Sequence, residues 1–237
     1  NFPRSSLIPD AYFWVGKSAQ MLKQNEEAIF NFRRVFESYP NTETAIASVI
    51  EMGNIYNEIK NYPEAIKIYD AAIEKLPRSP RIPEIMFNKA NTYINMQDII
   101  KAYETFDYII QYYGTTLFAD KSKFELGLIE FSARRYEYAD NHFRALAEKR
   151  VDDLGARAQY YYGVSLFEQN KINEAITALV RIRTVFSSYD EWLARSYLKL
   201  GECYEKINDK ERAREMYRAV LSKHKGDSFG IEAQNKL

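Results

Sequence analysis

The sequence predicts an all-α fold, a solenoid of antiparallel helix pairs, and three observations carry that prediction. The first is composition. Only 9 Gly and 7 Pro punctuate 237 residues, too few for the spaced turns of an all-β fold, while runs rich in Ala, Leu, Ile, Glu and Lys continue unbroken. The second is a register of small residues, each followed twelve positions later by Ala. Gly16 leads to Ala28, Gly53 to Ala65, Ala90 to Ala102, Gly127 to Ala139, Gly163 to Ala175 and Gly201 to Ala213. The third is a bulky side chain four residues beyond each Ala: Phe32, Tyr69, Phe106, Phe143, Leu179 and Tyr217.

Each unit reads as two helices. Polar breaks such as KQNEE, IKNYPE and KINDKE separate the small residue from its Ala and fit the short loop of a helical hairpin. Two helix axes approach to about 8 Å only where a side chain is nearly absent, and a neighbouring ring fills the adjoining gap. This packing role accounts for 19 Tyr and 14 Phe without invoking a ligand. One pair cannot cover its own apolar face, so successive pairs stack. The expected organisation is one domain over 1–237. Its repeats fall at 10–40, 41–77, 78–114, 115–151, 152–187 and 188–225, with the end of a preceding repeat at 1–9 and the start of a further helix at 226–237.

The pattern resembles the tetratricopeptide repeat, W-x2-L-G-x2-Y, then A-x3-F, then P. YLKLGECY followed by AREMY matches it, as do VIEMGNIY, AIKIY and LP in the second unit. Lys89 and Glu130 depart from it where apolar residues are usual, and Gly114 and Val151 replace the closing Pro. The resemblance implies a right-handed α-solenoid whose first helices line a concave surface. Junctions such as YPNTETA are also similar to those of bacterial envelope repeat proteins, the outer-membrane-assembly lipoprotein and the Tol-associated coordinator. That similarity implies a periplasmic or outer-membrane-associated scaffold, with a cytoplasmic location as the alternative.

PRSSLIPD at 3–10 returns as PRSPRIPE at 77–84. Pro3 shares the closing position with Pro40 and Pro77, so the parent chain is expected to extend upstream. Ser5 and Ser79 are expected to serve free amides of the next helix, with Pro9 and Pro83 in its first turn. At the other end Asp227 or Ser228 is expected to cap a helix carrying Phe229, Ala233 and Leu237 on one face, which covers the sixth pair.

The resemblance places the residue three before each small position on the concave side: Phe13, Ile50, Phe87, Phe124, Tyr160 and Leu198. One position after it stand Lys17, Asn54, Asn91, Leu128 and Val164. These eleven are the candidate partner-binding residues, against the alternative that the apolar ones pack between first helices. Asn54 and Asn91 offer donors and acceptors to a bound strand. The carboxylate clamp of chaperone-associated relatives is not matched, since Phe13 with Lys17, Glu51, and Glu84 with Asn88 fill its places.

Catalytic chemistry is not expected. His142 and His224 lack a partner at metal-ligating spacing, Cys203 reads as a small buried hydrophobe, and basic doublets such as Arg33-Arg34 and Arg134-Arg135 read as solvated outer faces. No cofactor and no metal is called for. Lys plus Arg balances Asp plus Glu at 33 each, which gives nucleic acid no field to follow. The expected function is a non-enzymatic scaffold for a protein or peptide partner, without membrane insertion. The alternative is a regulatory segment of a larger enzyme or sensor protein.

Overall fold

The computed structural model describes residues 7–237; Pro3 and Ser5 lie outside them. The described residues form thirteen α-helices and no strand. The chain divides into two compact units, Asn1–Ser122 and Lys123–Leu237. The first holds α1 (Ile8–Met21), α2 (Asn25–Ser38), α3 (Glu43–Glu58), α4 (Tyr62–Lys75), α5 (Ile82–Asn95), α6 (Ile99–Tyr112) and the start of α7 (Leu117–Ser132). The second holds the rest of α7, α8 (Tyr136–Lys149), α9 (Asp153–Glu168), α10 (Ile172–Val185), α11 (Asp190–Lys206), α12 (Lys210–Lys223) and α13 (Ser228–Asn235).

Within each unit consecutive helices pack, and so do alternate ones: α1 on α3, α3 on α5, α9 on α11, and α11 on α13. The small residues sit where the two helices of a pair meet. A Cβ added to Gly16 falls 2.7 Å from the Phe32 ring, one added to Gly127 falls 2.6 Å from Phe143, and one added to Gly163 falls 2.6 Å from Leu179 Cγ. At Gly53 and Gly201 the added atom meets Tyr69 and Tyr217. Ala28, Ala65, Ala102, Ala139, Ala175 and Ala213 are all buried. Every even helix from α2 to α12 spans 14 residues, so variation in the repeat length falls in the odd helices and the junctions.

The turn inside each pair has its own register. Lys23, Lys60, Gln97, Arg134, Asn170 and Asn208 adopt φ between 58° and 62°, seven residues after each small position. Side-chain caps start some of the odd helices. Thr116 accepts from the Ala119 amide ahead of α7, Asp152 from the Gly155 amide at α9, and Asp227 from the Gly230 amide at α13. Asp227 thus caps α13, which packs on α11 and α12 through the buried Ala233. Leu237 is exposed rather than sharing that face, because α13 ends at Asn235. Pro9 and Pro83 stand in the first turns of α1 and α5. Ser79 accepts from the Arg81 amide, which belongs to the turn ahead of α5 and not to the helix itself.

The two charged departures from the family pattern, Lys89 and Glu130, are satisfied by opposite charges. Lys89 reaches Asp70 of α4 at 2.5 Å, and the buried Glu130 accepts from Arg135 Nε. The Arg33-Arg34 doublet is not simply solvated, because rings lie within its reach. Arg33 donates to Tyr56 Oη at 3.1 Å, and Arg34 lies 4.3 Å over the Tyr12 ring.

Candidate functional site

The odd helices carry every candidate residue. A residue three before the small position shares its helix face, and therefore lies beside the bulky side chain that fills the crossing. Phe13 packs on Phe32 at 5.6 Å, Phe87 on Phe106 at 5.5 Å and Phe124 on Phe143 at 5.5 Å between ring centroids. Burial then sorts the candidates. Phe124, Val164 and Leu198 are 1%, 9% and 7% exposed and face the interior. Phe13, Lys17, Ile50, Phe87, Asn91, Leu128 and Tyr160 are half-buried, and Asn54 is exposed. Burial also pushes the Tyr160 phenol up to about 12.

In the first unit, polar contacts tie neighbouring odd helices together. Lys17 of α1 pairs with Glu51 of α3 at 2.9 Å. The amide ladder between α3 and α5 runs through Asn57, one turn beyond Asn54. Asn57 Nδ2 donates to Thr92 Oγ1 at 2.9 Å, and Asn95 Nδ2 donates to Asn57 Oδ1 at 3.0 Å. Asn57 and Asn95 thus join α3 to α5 around the wholly buried Thr92, a contact between helices and not the bound-strand role that the sequence suggested for Asn54 and Asn91.

A layer of cations covers the aromatic row, and sequence reasoning missed it. Lys121 lies 5.9 Å over Phe87 and 5.0 Å over Phe118 in the first unit. In the second unit Arg157 of α9 lies 4.5 Å over Phe124 and 5.8 Å from Trp192 of α11. Arg195 of α11 lies 5.4 Å from Trp192 and 5.5 Å from Phe229 of α13. Trp192 also faces Tyr160 at 5.8 Å and donates its indole N–H to Asp153 Oδ1 at 2.8 Å. Each such cation–ring contact is worth about 0.5–2 kcal/mol, more as it is desolvated. The available signal was a basic residue six before the small position, at Lys121, Arg157 and Arg195. What the rings present on this face is therefore bounded by guanidinium and ammonium groups, not by bare hydrocarbon.

Acids are placed unevenly. Burial raises the Glu125 carboxyl, opposed by Arg157. Arg195 pairs with Glu191 at 2.9 Å, and Lys199 with Glu202 at 2.5 Å. His224 is not isolated: Nδ1 lies 2.7 Å from Asp227 and Nε2 lies 3.3 Å from Asp190, which fastens the junction ahead of α13. His142 is half-buried on α8. Among the described residues no group of three or more His, Cys, Asp or Glu side chains is placed to hold a metal ion. Cys203 is buried, and burial pushes its thiol up to about 12, away from a reactive thiolate.

Tetratricopeptide-repeat profiles match residues 154–224, 124–183 and 10–42, together more than half of the chain. No protein of curated function matches it in sequence. Among solved structures, BtubC from P. vanneervenii is similar over 88% of this chain and 93% of its own, with 15% identity and a TM-score of 0.71. PilF of Pseudomonas aeruginosa is similar over 97% and 98%, with 16% identity and a TM-score of 0.66. YrrB, a repeat protein described as having an unusual peptide-binding site, is similar over 86% and 97%, with 16% identity and a TM-score of 0.59. At these identities the likeness speaks for the fold. With its glycine–ring crossings and the three profile matches, the chain belongs to the tetratricopeptide-repeat family.

Proposed function

We propose that this chain is a non-enzymatic scaffold of six repeats that binds a protein or peptide partner along its odd helices. The observation that carries the reading is the half-buried side chains on the odd helices of each unit: Phe13, Ile50, Phe87 and Asn91, with Asn54 exposed, in the first, and Tyr160 in the second. In the first unit an ion pair between α1 and α3 and an amide contact between α3 and α5 join the helices that carry these side chains, so binding there costs little ordering of the scaffold. The peptide-binding site described for YrrB supports the reading by likeness of fold. Among the described residues no helix is long and apolar enough to cross a membrane, and the balanced charge disfavours nucleic acid as partner.

The test is an array of random peptides probed with the chain, followed by hydrogen exchange with a captured peptide. Protection concentrated on the odd helices over the even helices within each unit is expected. Failure to capture any peptide, or protection confined to the even helices, would overturn the scaffold reading. A location at the bacterial envelope is the finer proposal and rests on junctions of the YPNTETA type. Fractionation of cells making the full parent protein tests it, and recovery in the cytoplasm alone would refute it.

A further inference from the structure

We infer that the odd-helix face of the second unit receives an acidic peptide segment, one of whose carboxylates docks on the Arg157 guanidinium. This rests on the scaffold reading and names the chemistry of its partner. Arg157 is half-buried, its guanidinium 4.5 Å from the Phe124 ring and 5.8 Å from the Trp192 ring. Among the described residues it makes no hydrogen bond or ion pair. A guanidinium presents five N–H donors in a rigid fork that matches a carboxylate. Here the rings meet the guanidinium itself while its N–H donors stay without a hydrogen-bond partner, so much of the ordering of a long side chain is already accomplished before a partner arrives.

The charged groups around it favour the same conclusion. Glu125 of α7 is the acid in range, and its burial already works against its charged form. Asp153, on the same helix as Arg157, is engaged by the Trp192 indole. On α11, Glu191 is engaged by Arg195, whose pair is about half exposed and therefore weakly held and open to exchange. Arg157 and Arg195 flank the same Trp192 ring, a separation that acidic residues two or three apart in an extended segment can span at about 3.3 Å per residue. Lys199 is closed by Glu202 and adds no open cation. The interspersed acids Asp153, Glu191 and Glu202 tolerate spaced carboxylates, whereas they would repel the dense phosphates of a nucleic acid.

The test uses fluorescence anisotropy with the whole chain and two labelled eight-residue probes, one alternating Gly with Glu and one alternating Gly with Gln. The Glu probe is expected to bind at least tenfold more tightly than the Gln probe. Arg157→Gln should remove that preference, Arg157→Lys should reduce Glu-probe binding several-fold, and Arg214→Gln, exposed on α12, should leave it unchanged. Should Arg157→Gln unfold, the lysine variant decides, since it keeps the charge and most of the stem while losing the fork. Equal binding of the two probes, undiminished binding by the Arg157 variants, or tighter binding of a poly-uridine probe would overturn the inference. If neither probe binds while the random array still captures peptides on α9 and α11, the acidic-partner inference falls and the scaffold stands. An empty array takes both down.

Discussion

Gly127→Ala tests the packing logic on which the fold depends. An ideal Cβ at Gly127 lies 2.6 Å from Phe143 Cε1, 2.9 Å from Cζ and 3.0 Å from Cδ1. Carbon atoms in good contact sit about 3.5–4.0 Å apart, so the ring must withdraw by roughly 1 Å. It has nowhere to go, because Phe143 is fully buried with Phe124 and Tyr161 each 5.5 Å away. Overpacking of this kind costs about 1–3 kcal/mol, and the better helix propensity of Ala returns up to about 1 kcal/mol. The net expectation is a loss of about 1–2 kcal/mol, or a drop in Tm of several degrees. Thermal unfolding by circular dichroism at 222 nm measures it. Gly226→Ala is the control, since an added Cβ there meets nothing within 4 Å. In a Phe143→Leu background the cost of Gly127→Ala should shrink by about 1 kcal/mol or more, because the pair is directly coupled. If Gly127→Ala instead raises Tm as much as the control does, the crossing is not set by the missing side chain.

Other substitutions probe the core, the turns and the caps. Phe124→Ala should cost about 3–5 kcal/mol as a core truncation; a melt close to that of the parent would place its ring at the surface instead. Lys60 holds φ at 59°, so Lys60→Ile should lose about 1 kcal/mol while Lys60→Asn loses nothing, and equal melts for the two would dismiss the turn strain. Below neutral pH the aspartates that cap α6, α9 and α12 through a backbone amide, Asp98, Asp152 and Asp209, should matter. The Lys101 side chain holds the Asp98 carboxyl below its ordinary value, the Arg212 amide does so for Asp209, and the Arg150 guanidinium for Asp152. Their folded values lie below the unfolded aspartate value of about 3.9. The stability they contribute is therefore complete above about pH 4 and lost as pH falls through the folded values. Replacing all three with Asn should flatten the dependence of Tm on pH between 6 and 3, and parallel curves would contradict this.

How far the sequence could be read depended on whether a signal was periodic in residue type. The crossings were legible because Gly or Ala, Ala and a bulky side chain recur at fixed intervals, and a helix turns fixed intervals into fixed faces. The turns were harder. Their left-handed residue is Lys, Gln, Arg or Asn rather than Gly, so only the surrounding polarity marked them. Of the candidate face, sequence named residues that all fall on odd helices but not the depth of each side chain. Phe124 and Tyr160 hold the same register position, yet one is buried and the other half-buried. The cations escaped notice for a physical reason: a charged residue on a helix reads as solvated until the ring across from it is known. Arg157 finds that ring thirty-three residues earlier, at Phe124, a separation no local pattern reveals.

Each crossing glycine meets its partner sixteen residues downstream: Gly16 with Phe32, Gly53 with Tyr69, Gly127 with Phe143. Wiring this short has a kinetic consequence. A hairpin can zip shut without waiting for distant chain to diffuse in, so loop closure costs little and refolding should be quick for a polypeptide of this length. Damage stays as local as the wiring does, slowing one hairpin while its neighbours still assemble.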